Sequence, residues 1–209
     1  RKLYDDAIIE YKKSLSFDRY NALGANRLGI AYHHLRKYRE AEQQYREALR
    51  YRPNYLDAMI NLGVLDYVRQ DFEGALSRYT RALKLAPNSV TLLGNLGACL
   101  FSMERWEEGV RVYQQALALD PGLFDQRGAG AGPSIQMSVK GNSMMNLHFA
   151  KIFAARGDKE LAISYLYKAI ENGLDDVKLL RDEQAFEQLA ADERFVRMLE
   201  TIATGKSRI

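Results

Sequence analysis

The sequence predicts an all-α fold, a solenoid of antiparallel helix pairs interrupted once by an irregular Gly-rich insert. Three observations predict it. Tyr11, Tyr45, Tyr79 and Tyr113 stand at a constant step of 34 residues, and so do Ala7, Ala41, Ala75 and Gly109. Inside each period the apolar residues keep helical spacing: Leu28, Ala31, Tyr32 and Leu35, then Tyr38, Ala41, Tyr45, Ala48 and Leu49. Pro53, Pro87 and Pro121 close successive periods, where a helix cannot continue. A fixed period of this length marks a repeat array. Two amphipathic helices joined only by Arg36-Lys37 must lie side by side and antiparallel.

Composition bounds the rest. The 209 residues are 47% hydrophobic and 27% charged, with 15 Gly and 4 Pro, which fits a folded, soluble chain. Net charge is only +3, from 30 basic and 27 acidic residues well interspersed, which argues against nucleic acid as a partner. Cys99 is the single cysteine, so no internal disulfide forms; a cytoplasmic or a periplasmic location remains open. No apolar run approaches the ~18 residues that a membrane span needs, so no membrane insertion is expected.

The elements follow in order. Residues 1–19 match only the second helix of a unit, through Ala7, Tyr11, Ser14 and Leu15, which predicts a half repeat and an array that continues upstream. Full repeats are expected at 22–55, 56–89 and 90–121. In these, Gly29, Gly63 and Gly97 leave room for the rings of Tyr45, Tyr79 and Tyr113, while Asn54 and Asn88 read as N-caps of the following helices. Tyr4, Tyr38, Phe72 and Trp106 form a second ladder, which predicts a clasp at the turn of each pair.

A Gly-rich insert at 122–142 breaks the phase. It contains the run from Gly128 to Pro133, a poor helix former, and Ser134 to Val139, which alternates like a short strand. It reads as a surface loop or as a β-extension that folds over the array or pairs with a partner. A phosphate-binding loop is rejected, because no Gly-Lys-Ser or Gly-Lys-Thr follows the glycines. Residues 143–174 resume as a displaced helix pair through Phe149-Ala150, Phe153, Ala162, Leu166 and Ala169. Residues 175–209 read as short capping helices that cover the last apolar face.

The set Leu28-Gly29, Tyr32, Ala41, Tyr45, Ala48 and Pro53 resembles the tetratricopeptide repeat. It recurs as Leu62-Gly63, Ala75, Tyr79, Ala82 and Pro87, and as Leu96-Gly97, Gly109, Tyr113, Ala116 and Pro121. Asp66 and Leu100 depart from the Tyr32 position. The string from Glu171 through Leu180, Phe186, Asp192 and Phe195 to Leu199 resembles a closing segment of bacterial members. The resemblance implies a right-handed superhelix whose first helices line a concave wall that holds another chain.

Taken with the core stripe, the resemblance implies wall residues Asn26, Arg27, Ile30, His33 and His34 in the first full repeat. It implies Asn61, Val64 and Tyr67 in the next, then Asn95, Ala98 and Phe101, with His148 and Lys151 in the displaced pair. The asparagines could grip a peptide backbone, since each amide both donates and accepts, or could bond to adjacent helices or water. The lysines of the family's carboxylate-binding pocket are missing, because Asn26, Ile60 and Gly94 stand in their places. An extended, partly apolar segment is therefore the expected ligand.

Catalysis, metal and cofactor are not expected. His33 and His34 are helix neighbours that do not face one another, and His148 has no Cys or His at ligand spacing. Cys99 sits among apolar residues and reads as core. Two functional classes stay open: a protein- or peptide-binding scaffold, and a regulatory or targeting module of a larger enzyme or exported complex. Self-association through the half repeat, at Leu3, Ala7, Ile8 and Tyr11, is a third expectation.

Overall fold

The computed structural model describes residues 1–121, 123 and 143–204. The Gly-rich run and the strand expected at 134–139 lie outside the described residues. The chain divides into two compact units, Arg1–Gln136 and Met137–Ile209, and each is described by itself. All regular structure among the described residues is helical.

The first unit holds α1 (Lys2–Phe17), α2 (Ala22–His34), α3 (Tyr38–Tyr51), α4 (Leu56–Val68), α5 (Phe72–Leu83), α6 (Val90–Ser102) and α7 (Trp106–Leu119). Each helix packs on the next in sequence. The first helices of successive pairs also touch, α2 with α4 and α4 with α6, while α3, α5 and α7 stand further from one another. The unit is thus an α-solenoid whose first helices share one side.

Why the pairs repeat is visible in their packing. A Cβ added to Gly29, Gly63 or Gly97 would meet the ring of Tyr45, Tyr79 or Tyr113 at 2.5, 2.5 and 2.6 Å. Only glycine admits the ring at this distance, and Tyr45 and Tyr79 are wholly buried as a result. Burying one such ring contributes about 1.5–3 kcal/mol. Ala41, Ala75 and Ala116 are likewise buried to 0% exposure. Gly109 replaces the alanine of the earlier repeats because the Phe101 ring lies 2.2 Å from where its methyl would be.

The turn inside each pair has its own signature. Arg36, Gln70 and Glu104 all adopt positive φ, 58°, 64° and 58°. The next amide then reaches back to the helix: Lys37 to Tyr32, Asp71 to Asp66 and Arg105 to Leu100, each at 2.9 Å. This is a Schellman-type ending, which satisfies a helix-terminal carbonyl at the cost of a left-handed residue. In the second unit the same station is Gly157, φ 79°.

The aromatic ladder does clasp these turns. His33 meets Tyr38 edge-on at 5.5 Å, Tyr67 meets Phe72 at 5.3 Å and Phe101 meets Trp106 at 5.4 Å. Edge-to-face pairs of this kind contribute about 0.5–1.5 kcal/mol beyond burial.

The expected N-caps need correction. Asn54 and Asn88 precede the cap positions, which are Tyr55 for α4, without a side-chain cap, and Ser89 for α6. The reason is the link between pairs: Tyr55 N–H donates to Arg52 O and Ser89 N–H to Ala86 O, so the asparagines sit inside a closed turn. Asn21 does cap α2, accepting from Gly24 N–H at 2.8 Å.

The second unit pairs α8 (Ser143–Ala155) with α9 (Lys159–Glu171), followed by α10 (Val177–Arg181), a 3-10 helix (Gln184–Leu189) and α11 (Glu193–Ala203). Where the array has Gly and Tyr, this pair has Ala150 and Leu166, both wholly buried. A larger small residue with a smaller large one keeps the volume. The 3-10 helix packs on α8 and α11 on α9. Leu180, Phe186, Leu189, Phe195 and Met198 are buried there. Gln188 Nε2 donates to the Ala154 carbonyl at the end of α8. Arg194 forks onto both oxygens of Glu160 at 2.7 and 2.8 Å and onto Asp192, tying the start of α11 to the start of α9.

Candidate functional site

The side formed by α2, α4 and α6 is the candidate surface, because these helices touch in series. The structure sorts the expected wall residues sharply. Arg27 and His34 are exposed, and Ile30, His33 and Tyr67 are partly buried. Asn26, Asn61, Val64, Asn95, Ala98 and Phe101 are buried. The rows Arg27–Asn61–Asn95 and Ile30–Val64–Ala98 are therefore not uniform, since only their α2 members reach solvent.

The asparagine row explains part of this. Asn61 Nδ2 donates to Asn26 Oδ1 at 2.9 Å, joining α4 to α2. That amide works between helices, the role that sequence left open beside peptide binding. The aromatic row is also engaged within the array. Besides its clasp with Phe72, Tyr67 shares a 2.7 Å hydrogen bond with Ser102 Oγ on α6. Phe101 also packs edge-on against Tyr113 at 5.3 Å.

The two histidines differ. His34 stacks on Tyr4 of α1, with centroids 4.4 Å apart and planes 13° apart. His33 is more enclosed, and its buried Nδ1 has no hydrogen-bond partner among the described residues. Burial first, then the neighbouring His34, brings its pKa down to about 4.

Two features escaped the sequence reading. Leu23 is 47% exposed on α2 and completes a stripe with Arg27, Ile30 and His34. The spacing i, i+4, i+7, i+11 was there to find it. Asp66, which departs from the tyrosine of its station, is buried and forms an ion pair with Arg78 of α5. The departure is thus matched by a partner one helix away.

In the second unit, His148 is buried and Lys151 forms an ion pair with Glu183. Cys99 donates to the Phe72 carbonyl at 3.1 Å, and burial pushes its thiol up to about 11, which leaves it protonated and unreactive at neutral pH. Among the described residues no group of three His, Cys, Asp or Glu is placed to hold a metal ion. No helix among them is long and apolar enough to cross a membrane.

Fold and surface define an α-helical repeat protein. Residues 22–55 match one model of the tetratricopeptide repeat family and residues 67–130 match another. Among solved structures, the chain resembles MamA with a TM-score of 0.56 and 20% identity, over 81% of this chain and 88% of that one. A form of MamA spanning residue 41 to its end, from Desulfovibrio magneticus RS-1, gives 0.55 and 20% over 81% and 85%. YrrB, described as a TPR protein with an unusual peptide-binding site, gives 0.52 and 22% over 86% and 83%. At these identities the likeness concerns the fold. No curated protein matches the chain.

Proposed function

We propose that this chain is a non-catalytic interaction scaffold that holds an extended segment of a partner protein on the first-helix side of its array. One observation carries the reading: on α2, the exposed Leu23 and Arg27 continue into the half-buried Ile30 and into His34, stacked on Tyr4, as one mixed apolar and polar stripe that reaches solvent. A repeat array offers a continuous surface of this kind along one side, and YrrB, of similar fold, is described as binding peptide. The buried asparagines then support the wall through the Asn26–Asn61 bond, and the solvent-reaching edge of α2, led by Leu23 and Arg27, makes the contact.

The test is selection of a displayed random peptide library on the full chain. Peptides should be enriched, and their binding should fall by about tenfold or more, near 1.4 kcal/mol, in Ile30→Asp. Circular dichroism should confirm unchanged helicity. Failure to enrich any peptide, or enriched peptides indifferent to Ile30→Asp, overturns the reading.

A further inference from the structure

We infer that the segment held on α2 is acidic, with carboxylates set among apolar side chains. This rests on the scaffold reading above and adds the chemistry of the partner. α2 contains no Asp or Glu, and Arg27 stands exposed in the middle of its stripe without an ion pair among the described residues. Leu23 and Ile30 flank that guanidinium one turn away on either side.

The repeat around α2 reinforces the sign. Residues 22–55 hold seven Lys and Arg against three Glu. Two of those three are already engaged, Glu42 by Arg46 and Arg69, and Glu47 by Arg50, each with a 2.7 Å contact. Residues 56–89 hold four charges of each sign, and residues 90–121 hold two basic and four acidic ones. Among the three full repeats, the excess of positive charge thus falls in the one that contains α2, with Arg27 on that helix and the other six cations on the turn, on α3 and just after it. On α4 the station equivalent to Leu23 is the exposed Asp57, so the attraction is local to α2.

An exposed Arg–carboxylate contact is weak alone and is screened by salt. The field of the surrounding cations steers an acidic segment, and the flanking apolar side chains give it surface to bury. A single arginine between Leu23 and Ile30 suits a peptide better than a phosphate backbone, which needs several cations in a track.

The displayed library also tests this inference. Enriched peptides should carry net negative charge together with apolar residues. A synthetic copy of one enriched peptide should lose about tenfold or more in affinity when its Asp and Glu become Asn and Gln, and a similar factor against Arg27→Glu. Binding should weaken steadily as salt is raised. Enrichment of neutral or basic peptides that still need Ile30 would overturn the acidic partner and leave the scaffold standing. Equal affinity of an acidic peptide for wild type and Arg27→Glu would overturn it too. So would an Arg27-dependent single-stranded oligonucleotide that binds more tightly than any peptide.

Discussion

Asn61 on α4 donates to Asn26 on α2 across 2.9 Å, and both side chains are buried. This bond ties two successive repeats through their first helices. It sits beneath the surface on which a partner is proposed to lie, so it bears on stability and on binding in different ways.

Asn61→Leu removes the donor and leaves Asn26 Oδ1 buried and unpaired, which should cost about 1–3 kcal/mol. Adding Asn26→Leu should cost less than the sum of the two single changes, because both partners of the bond are then removed together. Urea melts of the four proteins measure the coupling. Strict additivity would mean that the bond contributes nothing.

The close approach of Gly63 to Tyr79 gives a second expectation. Gly63→Ala places a methyl 2.5 Å from the ring and should cost about 1–3 kcal/mol. The second unit uses Ala150 with Leu166 at the same stations. Gly63→Ala combined with Tyr79→Leu should therefore be more stable than Tyr79→Leu alone. If the alanine costs the same in both backgrounds, the ring is not what excludes it.

The turns should be improvable. Arg36, Gln70 and Glu104 hold left-handed φ, where a side chain is strained and glycine is not. Each change to Gly should raise stability by up to about 1 kcal/mol, roughly additively since the turns are separate. Thermal melts of the triple variant against wild type decide it; a lower midpoint would contradict the turn assignment.

His33 sets a pH dependence. Its folded pKa is depressed to about 4 from an ordinary 6.5, by burial and then by His34. Above 6.5 the ring is neutral in both states, and stability is at its full value. As pH falls from there toward 4, the unfolded chain takes up a proton that the folded ring resists, so stability is lost across that window. Below it both states are charged and this contribution no longer changes. His33→Tyr, which copies Tyr67 of the next repeat, should flatten that part of a melting-temperature profile; an unchanged slope would place the titration elsewhere.

The 34-residue step told most about the array, because its residues answer to backbone geometry that recurs in every unit. Gly63 opposite Tyr79 was legible for that reason, and so was the clasp of Tyr38, Phe72 and Trp106. The turn chemistry was less so: nothing in Arg36, Gln70 and Glu104 advertises a left-handed residue, since their side chains are unrelated. The N-caps were misplaced by one residue because the closing turn at Arg52 and Ala86 takes one more position than the prolines suggest.

By itself the sequence determined the helix pairs, their order and the residues that must be small where rings approach. Those are demands of neighbours within one unit, and one chain's spacing encodes them. Which wall residues stay open was decided only by tertiary structure. Arg27 and Asn61 occupy equivalent stations, yet one is exposed and the other is buried against Asn26. Exposure depends on what the next helix brings to the same spot, and that is set by packing between repeats rather than by periodicity within them.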